Sequence, residues 1–341
     1  MARTLILGGT AWLGRAVAAH ALAQGHEVTC LARGNSGSVP DGVALVTADR
    51  SLPDAYREVS STDWDEVIEI AWAPDLVDGA LTALADRAAH WTLVSSISVY
   101  ANNLTAGAAE DDELAVPEPN PADYAAAKSY AESQSLAALA DRLLIARPGL
   151  IVGAGDGSDR FGYWAAALAR TPDTNTNTNT NTSPATNTNR EVLTPTLDRP
   201  VQIIDVEDLA AWLVTAAAAH TVGPVNAVGP VVTLGEVLTE LANAANPDAV
   251  LREASDDWLQ SQGVNYWAGP RSLPLWVPAT DVSMLARSGV RFLATGGTHH
   301  SLAEIAESVL QDERQRGLTR DRRAGLTLPE EVDLLASLQG I

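Results

Sequence analysis

Thr4-Leu5-Ile6-Leu7-Gly8-Gly9-Thr10-Ala11-Trp12-Leu13-Gly14-Arg15, continuing to Arg33, is the stretch on which the fold turns. Leu5 to Leu7 is an apolar run that stops at two glycines, the pattern of a buried strand. Beyond Gly14, the residues Val17, Ala18, Ala21 and Leu22 recur at helical spacing until Gly25 ends the pattern. Glu27 to Leu31 supplies a second strand. Strand, glycine turn, helix and strand in this order make one βαβ unit. Its turn leaves backbone N–H groups unpaired at a helix N-terminus, where a pyrophosphate binds. Gly8, Gly9, Thr10, Trp12, Leu13 and Gly14 are therefore expected to contact a dinucleotide.

The rest of the composition narrows the class. The 341 residues suit one large α/β domain or two smaller ones. With 43 acidic against 22 basic side chains, the formal charge is −21, which argues against a nucleic-acid or anionic-membrane surface. The single cysteine, Cys30, falls in the second strand as a buried thiol. One cysteine supports neither a disulfide framework nor a zinc pattern, so no metal is expected and a reducing, cytoplasmic setting fits. The N-terminus reads as the first strand rather than a signal peptide, and no apolar run is long enough to cross a membrane.

Arg33 follows the second strand, where an acidic side chain ordinarily binds the ribose 2′-hydroxyl of NAD. A guanidinium there suits a 2′-phosphate, which favours NADP slightly; the alternative is a solvated surface arginine. Val43 to Thr47 is a third strand, followed by Asp49 and Arg50 at the adenine side, where Asp49 either reaches the base edge or caps the next helix. Val67 to Ala71 is a fourth strand, and Ala71 begins a loop expected to run beneath the cofactor. A helix over 75–89 and a strand from Trp91 to Ser95 continue the alternation of a parallel, doubly wound sheet.

The chemistry enters at the end of that fifth strand, Val94-Ser95-Ser96-Ile97-Ser98-Val99-Tyr100, and in the alanine-rich helix that carries Tyr124 and Lys128. Four residues apart, Tyr124 and Lys128 share one helix face. An ammonium beside a phenol lowers the phenol pKa from about 10 toward neutrality, so Tyr124 is a candidate proton donor or acceptor. A serine hydroxyl at the strand end can hold the reacting oxygen while hydride moves to or from a nicotinamide.

Together with Arg147-Pro148-Gly149 and Asp205-Val206-Glu207-Asp208-Leu209-Ala210, these motifs resemble the extended short-chain dehydrogenase/reductase superfamily, with its nucleotide-sugar epimerases and dehydratases. The resemblance runs from Thr4 to about Leu310. Ala11 stands where such proteins usually carry a middle glycine, and the Gly-Gly-x-x-x-x-Gly form is similar to an atypical subgroup. The resemblance implies a triad of Ser96, Tyr124 and Lys128, with Lys128 also holding the nicotinamide ribose. Ser95 and Ser98 are the alternatives to Ser96. It implies NAD(P)-dependent hydride transfer at a secondary alcohol or ketone, with a sugar nucleotide as the leading substrate. The helices over 75–89 and 121–138 resemble those that pair extended relatives into homodimers. Rival readings are an NAD(P)-binding redox sensor and, less favoured, an RNA-binding relative.

The expected architecture is a Rossmann-type NAD(P)-binding domain over 1–150, to which some later segments return, followed by a smaller α/β substrate lobe over 151–341. In that lobe, Phe161, Tyr163 and Trp164 read either as a wall of the active cleft or as core. The Thr/Asn-rich tract at 172–189 cannot bury enough apolar surface to offset its ordering entropy, and reads as a disordered, inert insertion. The basic stretch from Arg314 to Arg323 reads as a solvated linker.

Overall fold

In the computed structural model of the protein, which describes residues 1–120, 122–170 and 190–340, the opening motif folds as strand β1 (Arg3–Leu7) and helix α1 (Trp12–Ala23). Strands β2 (Glu27–Ala32), β3 (Ala44–Thr47) and β4 (Trp64–Glu69) follow, then α2 (Pro74–Leu84), β5 (Ala88–Val94), α3 (Tyr124–Leu139) and β6 (Leu143–Pro148). Next come β7 (Leu150–Val152), α4 (Arg160–Ala169), β8 (Glu191–Thr194), β9 (Pro200–Asp205), α5 (Val206–Ala218) and β10 (Gly223–Ala227). The chain continues through β11 (Val231–Thr233), α6 (Leu234–Ala245), β12 (Val250–Glu253), α7 (Asp256–Ser261), α8 (Val290–Ala294), α9 (Leu302–Arg316) and α10 (Leu328–Gln339).

The chain divides into two units. The first comprises Met1–Ile151, Gln202–Val231 and Thr280–His299; the second comprises Val152–Val201, Val232–Ala279 and His300–Ile341. The first unit holds a seven-stranded sheet in the order β10-β6-β5-β4-β1-β2-β3. All its pairings are parallel, with Leu5 opposite Thr29 on one side and Val67 on the other. Strands buried on both faces need continuous apolar runs, which is why Leu5, Ile6 and Leu7 are fully buried. One face packs α1 and α5 through Val17, Ala21, Leu209 and Leu213. The other packs α2 and α3 through Val77, Leu84, Ala131 and Leu139. The strand order reverses between β1 and β4, and in open parallel sheets the crevice at that reversal receives the ligand.

Two readings of the sequence need correction here. The helix expected over 75–89 stops at Leu84, passes through a tight turn at Ala85–Arg87, and gives up Ala88 and Ala89 to β5, where Ala88 pairs with Trp64. Its alanines fit a helix locally, but pairing with β4 satisfies their backbone groups in the sheet. The basic stretch from Arg314 to Arg323 is no solvated linker. Helix α9 runs on to Arg316, and Arg316, Arg320 and Arg322 all bind the buried carboxylate of Glu313. Asp159 takes Arg316 and Arg320 as well, and accepts the backbone N–H of Arg323. Phe161, Tyr163 and Trp164 belong to the core of the second unit, each at most 1% exposed. The Thr/Asn-rich tract at 172–189 lies outside the described residues. No helix among the described residues is long and apolar enough to cross a membrane.

At the opposite end of the sheet from the crevice, His90 is buried on β5. Its Nδ1 meets the Glu66 carboxylate at 2.5 Å and its Nε2 meets the Thr221 carbonyl at 2.8 Å, while Thr92 donates to the other oxygen of Glu66 at 2.7 Å. Both ring nitrogens face acceptors, an arrangement that only the doubly protonated ring satisfies. Burial opposes that charge, but the hydrogen bond and charge of Glu66 outweigh it and raise the His90 pKa above the ordinary 6.5. A raised native value stabilises the fold fully below the unfolded value and loses that contribution as pH rises through the native one. Each pH unit of elevation contributes about 1.4 kcal/mol. Urea unfolding between about pH 6 and 9 is expected to show this decline in the parent protein and a flatter profile in His90→Gln; parallel profiles would mean that His90 stays neutral.

Candidate active site

The turn after β1 is shaped by two glycines. Gly8 sits at φ +111°, a conformation that strains any residue with a Cβ. A Cβ on Gly14 would stand 2.4 Å from the Gly8 carbonyl oxygen and 2.8 Å from the Gly9 Cα, with no flexible side chain to yield. Ala11 precedes α1 without a side-chain cap, and the first turn of the helix carries no acidic residue. The terminal N–H groups and the positive end of the helix dipole therefore suit an anion.

This turn forms one wall of a cleft of about 340 Å³, whose lining includes Gly8, Thr10, Ala11, Arg33, Asp49 and Ala71. The lining gathers the glycine turn, the end of β2 and the loops after β3 and β4. The donor-rich turn and the polar rim of Arg33 and Asp49 are compatible with a dinucleotide. Trp12 begins α1 and Leu13 turns into the core, so Leu13 offers its backbone alone. Arg33 is exposed on the cleft rim beside Asn35 and Ser36. Asp49 accepts hydrogen bonds from the backbone and hydroxyl of Ser51, which together with the charge of Arg33 hold its carboxyl below the ordinary range.

Arg50 differs from its neighbours. Although it lines the cleft, its guanidinium is buried and bidentate on Glu69, and also donates to the Tyr56 hydroxyl at 2.9 Å and the Leu76 carbonyl at 2.8 Å. Glu69, fully buried at the end of β4, accepts in turn from the Ala71 backbone at 2.7 Å. Arg50 thus builds the cleft floor, and Glu69 fixes the loop that begins at Ala71.

At the end of β5 the three candidate serines separate. Ser95 is buried and donates to Glu132 Oε1 at 2.5 Å. Ser96 is half-buried, caps the short turn Ile97–Val99 by accepting from the Ser98 backbone at 3.1 Å, and lies 3.1 Å from the Ser98 hydroxyl. Ser96 and Ser98 are therefore the hydroxyls left at the surface of this strand end. Helix α3 is capped by Asp123, which accepts from the Ala126 backbone at 3.0 Å, and begins at Tyr124. Tyr124 is 42% exposed and meets the half-exposed indole of Trp72 edge-on, with ring centroids 5.3 Å apart. One helical turn on, Lys128 is 2% exposed, and its Nζ lies 6.0 Å from the Tyr124 ring centroid. Lys128 donates to the Val94 carbonyl at 2.6 Å. Desolvation pushes its pKa down to about 8, against the opposing charges of Glu69 and Glu132.

Sequence reasoning missed the polar frame behind these groups. Arg147 binds both oxygens of Glu132, at 3.0 and 2.7 Å, and also donates to the Tyr100 hydroxyl and the Glu110 carbonyl. Arg287 stacks over the Tyr100 ring at 3.9 Å and ties down the segment after it, through Asp112 at 2.6 Å and the Asn102 carbonyl at 2.7 Å. A signal existed for Glu132, which continues the four-residue spacing of Tyr124 and Lys128. Arg287 left none, because its partners lie far away in the sequence.

The profile of the NAD dependent epimerase/dehydratase family matches residues 4–229. No curated protein matches the chain significantly. Among solved structures, a candidate epimerase from Burkholderia cenocepacia is 22% identical, with a TM-score of 0.68 over 92% of this chain and 98% of its own. The RMD protein of Pseudomonas aeruginosa, solved with NADPH, is 18% identical, with a TM-score of 0.61 over 93% and 100%. The UDP-glucose 4-epimerase of Thermus thermophilus, solved with NAD, is 18% identical, with a TM-score of 0.60 over 92% and 99%. At these identities the likeness carries the fold.

The glycine turn yields a direct test. Gly14→Ala forces a methyl into backbone on two sides and is expected to cost on the order of 1–3 kcal/mol, as overpacking does, together with dinucleotide affinity. Ala11→Gly, at an uncapped helix start where glycine is tolerated, should leave both nearly unchanged. Thermal unfolding and calorimetric titration with NAD and NADP compare the two. A Gly14→Ala protein as stable and as cofactor-competent as the parent would mean that the turn is looser than described.

Proposed function

This chain belongs to the NAD dependent epimerase/dehydratase family, a class of NAD-dependent enzymes, and from that premise we propose that it moves hydride at a secondary alcohol or ketone through Ser96, Tyr124 and Lys128. The observation that carries the proposal is the contrast along one face of α3. Tyr124 opens to solvent, while the ammonium one turn behind it is almost fully enclosed. The nicotinamide, when bound, supplies the acceptor and donor of hydride. Everything else falls to side chains. As hydride leaves the carbon of an alcohol, the Tyr124 oxygen takes the hydroxyl proton; in the reverse direction it returns the proton to the carbonyl oxygen. Ser96, oriented through Ser98, donates to that oxygen and holds it in register.

Lys128 contributes charge, because a buried ammonium favours negative charge at the neighbouring Tyr124 oxygen. One of its N–H bonds is committed to Val94, and we assign another to the nicotinamide ribose. The family supports epimerisation or dehydration of a sugar nucleotide, in which cofactor is reduced and regenerated within one cycle. NADP is the proposed cofactor form, on the strength of Arg33 at the cleft rim.

Tyr124→Phe should lower turnover by about 10²–10⁴-fold, the worth of a general acid–base group, with cofactor affinity nearly unchanged. Lys128→Met should weaken both. Because the ammonium loses its proton near pH 8, parent activity should fall above about 8, and that limb should vanish in Lys128→Met. Full activity in Tyr124→Phe on a genuine substrate would overturn the assignment. Tight NAD(P) binding without turnover of any alcohol, ketone or sugar nucleotide would favour the sensor.

Cofactor choice is tested separately by calorimetry. NADPH should bind more tightly than NADH, and Arg33→Ala should erase the difference, about 1.5–3 kcal/mol for a charge-assisted hydrogen bond. Equal affinities in the parent protein would overturn the NADP assignment.

A further inference from the structure

Lys128 is the only lysine in the chain; every other basic side chain counted with it is arginine. Two buried acid–arginine pairs stand near it. Glu69 ends β4 opposite Leu93, the residue before the Val94 carbonyl that takes Lys128, and Arg50 is bound to its carboxylate. Glu132 lies one helical turn beyond Lys128 on α3, with Arg147 bound to its carboxylate. Both carboxylates are buried, at 0% and 4% exposure, and both act on the ammonium. Tyr124 lies one turn back on α3, and β5 contributes the Val94 carbonyl.

Each carboxylate also grips a strand end of the cleft. Glu69 accepts from the Ala71 backbone, and Glu132 accepts from Ser95, next to the residue whose carbonyl takes Lys128. An ammonium enclosed this fully would shed its proton unless opposite charge answered it.

We infer that Glu69 and Glu132 are positioning residues of the active site: one from β4 and one from α3, they hold Lys128 charged, and through Ala71 and Ser95 they fasten the cleft loop and the serine-bearing strand end to it. Each arginine binds both oxygens of its carboxylate and so fixes it in place. The inference rests on the role proposed for Lys128, but it can be read on the lysine itself, without substrate or cofactor.

Because the chain has one lysine, protein grown on [ε-¹³C]lysine gives a single side-chain signal that needs no assignment. Its chemical shift is followed against pH by NMR in the parent, in Glu69→Gln and in Glu132→Gln. The parent signal should titrate near 8. Each glutamine variant keeps the size and one acceptor oxygen but removes the charge, and should move the midpoint down by about one pH unit or more. A single variant that leaves its arginine unpaired and fails to fold is replaced by the paired change, Glu69→Gln with Arg50→Gln or Glu132→Gln with Arg147→Gln, since removing both charges of a buried pair is tolerated better than removing one. A smaller downward movement is expected there, because the lost guanidinium offsets part of the lost carboxylate charge. An unmoved midpoint for either glutamate overturns the inference. If the midpoints move but no substrate is ever turned over, the catalytic proposal falls and this inference stands.

Discussion

An ammonium enclosed in a protein interior is unfavourable unless nearby charge and hydrogen bonds replace the water it loses, and the carboxyl end of the central sheet is organised around that constraint. Lys128 has a carbonyl within 2.6 Å and two carboxylates acting on it. Those carboxylates would be unfavourable there in their turn, and each is held by an arginine that uses more than one of its donors. The chain of compensation ends at backbone carbonyls and tyrosine hydroxyls, such as Leu76, Tyr56, Glu110 and Tyr100. Because the same groups bind Ala71 and Ser95, the loop at the cleft and the serine-bearing strand end are fixed by the electrostatics of one buried cation.

The choice of lysine at 128 in a chain that otherwise uses arginine has a physical reason. An ammonium is compact, gives three donors and can lose its proton when buried. A guanidinium stays charged and brings five donors in a planar fork, which a site offering one carbonyl and a neighbouring phenol could not satisfy. The fork suits the flanking positions, where Arg50 and Arg147 each meet a carboxylate face-on. The two kinds of cation are thus placed differently, with arginine bound to carboxylates in the frame and the lone lysine enclosed on a backbone carbonyl. The second unit uses arginine in the same structural way, around the buried carboxylates of Asp159 and Glu313.

Where sequence and structure part, the cause is contact between distant residues. Ala88 and Ala89 carry no local mark that separates helix from strand; pairing with β4 decides it. The arginines after 314 look like a solvated run because their partner Asp159 lies more than 150 residues earlier. Arg50 reads as a cofactor contact from its place after β3 and does line the cleft, but nothing local foretells that its guanidinium is bound to Glu69 across the strand ends. Of the strand-end hydroxyls Ser95, Ser96 and Ser98, no local pattern foretells that Ser95 is buried against Glu132.

The sequence by itself determined the features whose constraints are local. The glycine turn at 8–14, the parallel alternation of strands and helices, and the shared face of Tyr124 and Lys128 follow from sterics, periodicity and helical spacing within a few residues. Only the tertiary structure decided which buried charges answer one another, that Ser95 is the buried serine and where Arg287 clamps the segment after Tyr100. Those outcomes depend on distances between residues far apart in the chain, and no period or spacing in a linear sequence encodes a distance that exists only once the sheet has formed.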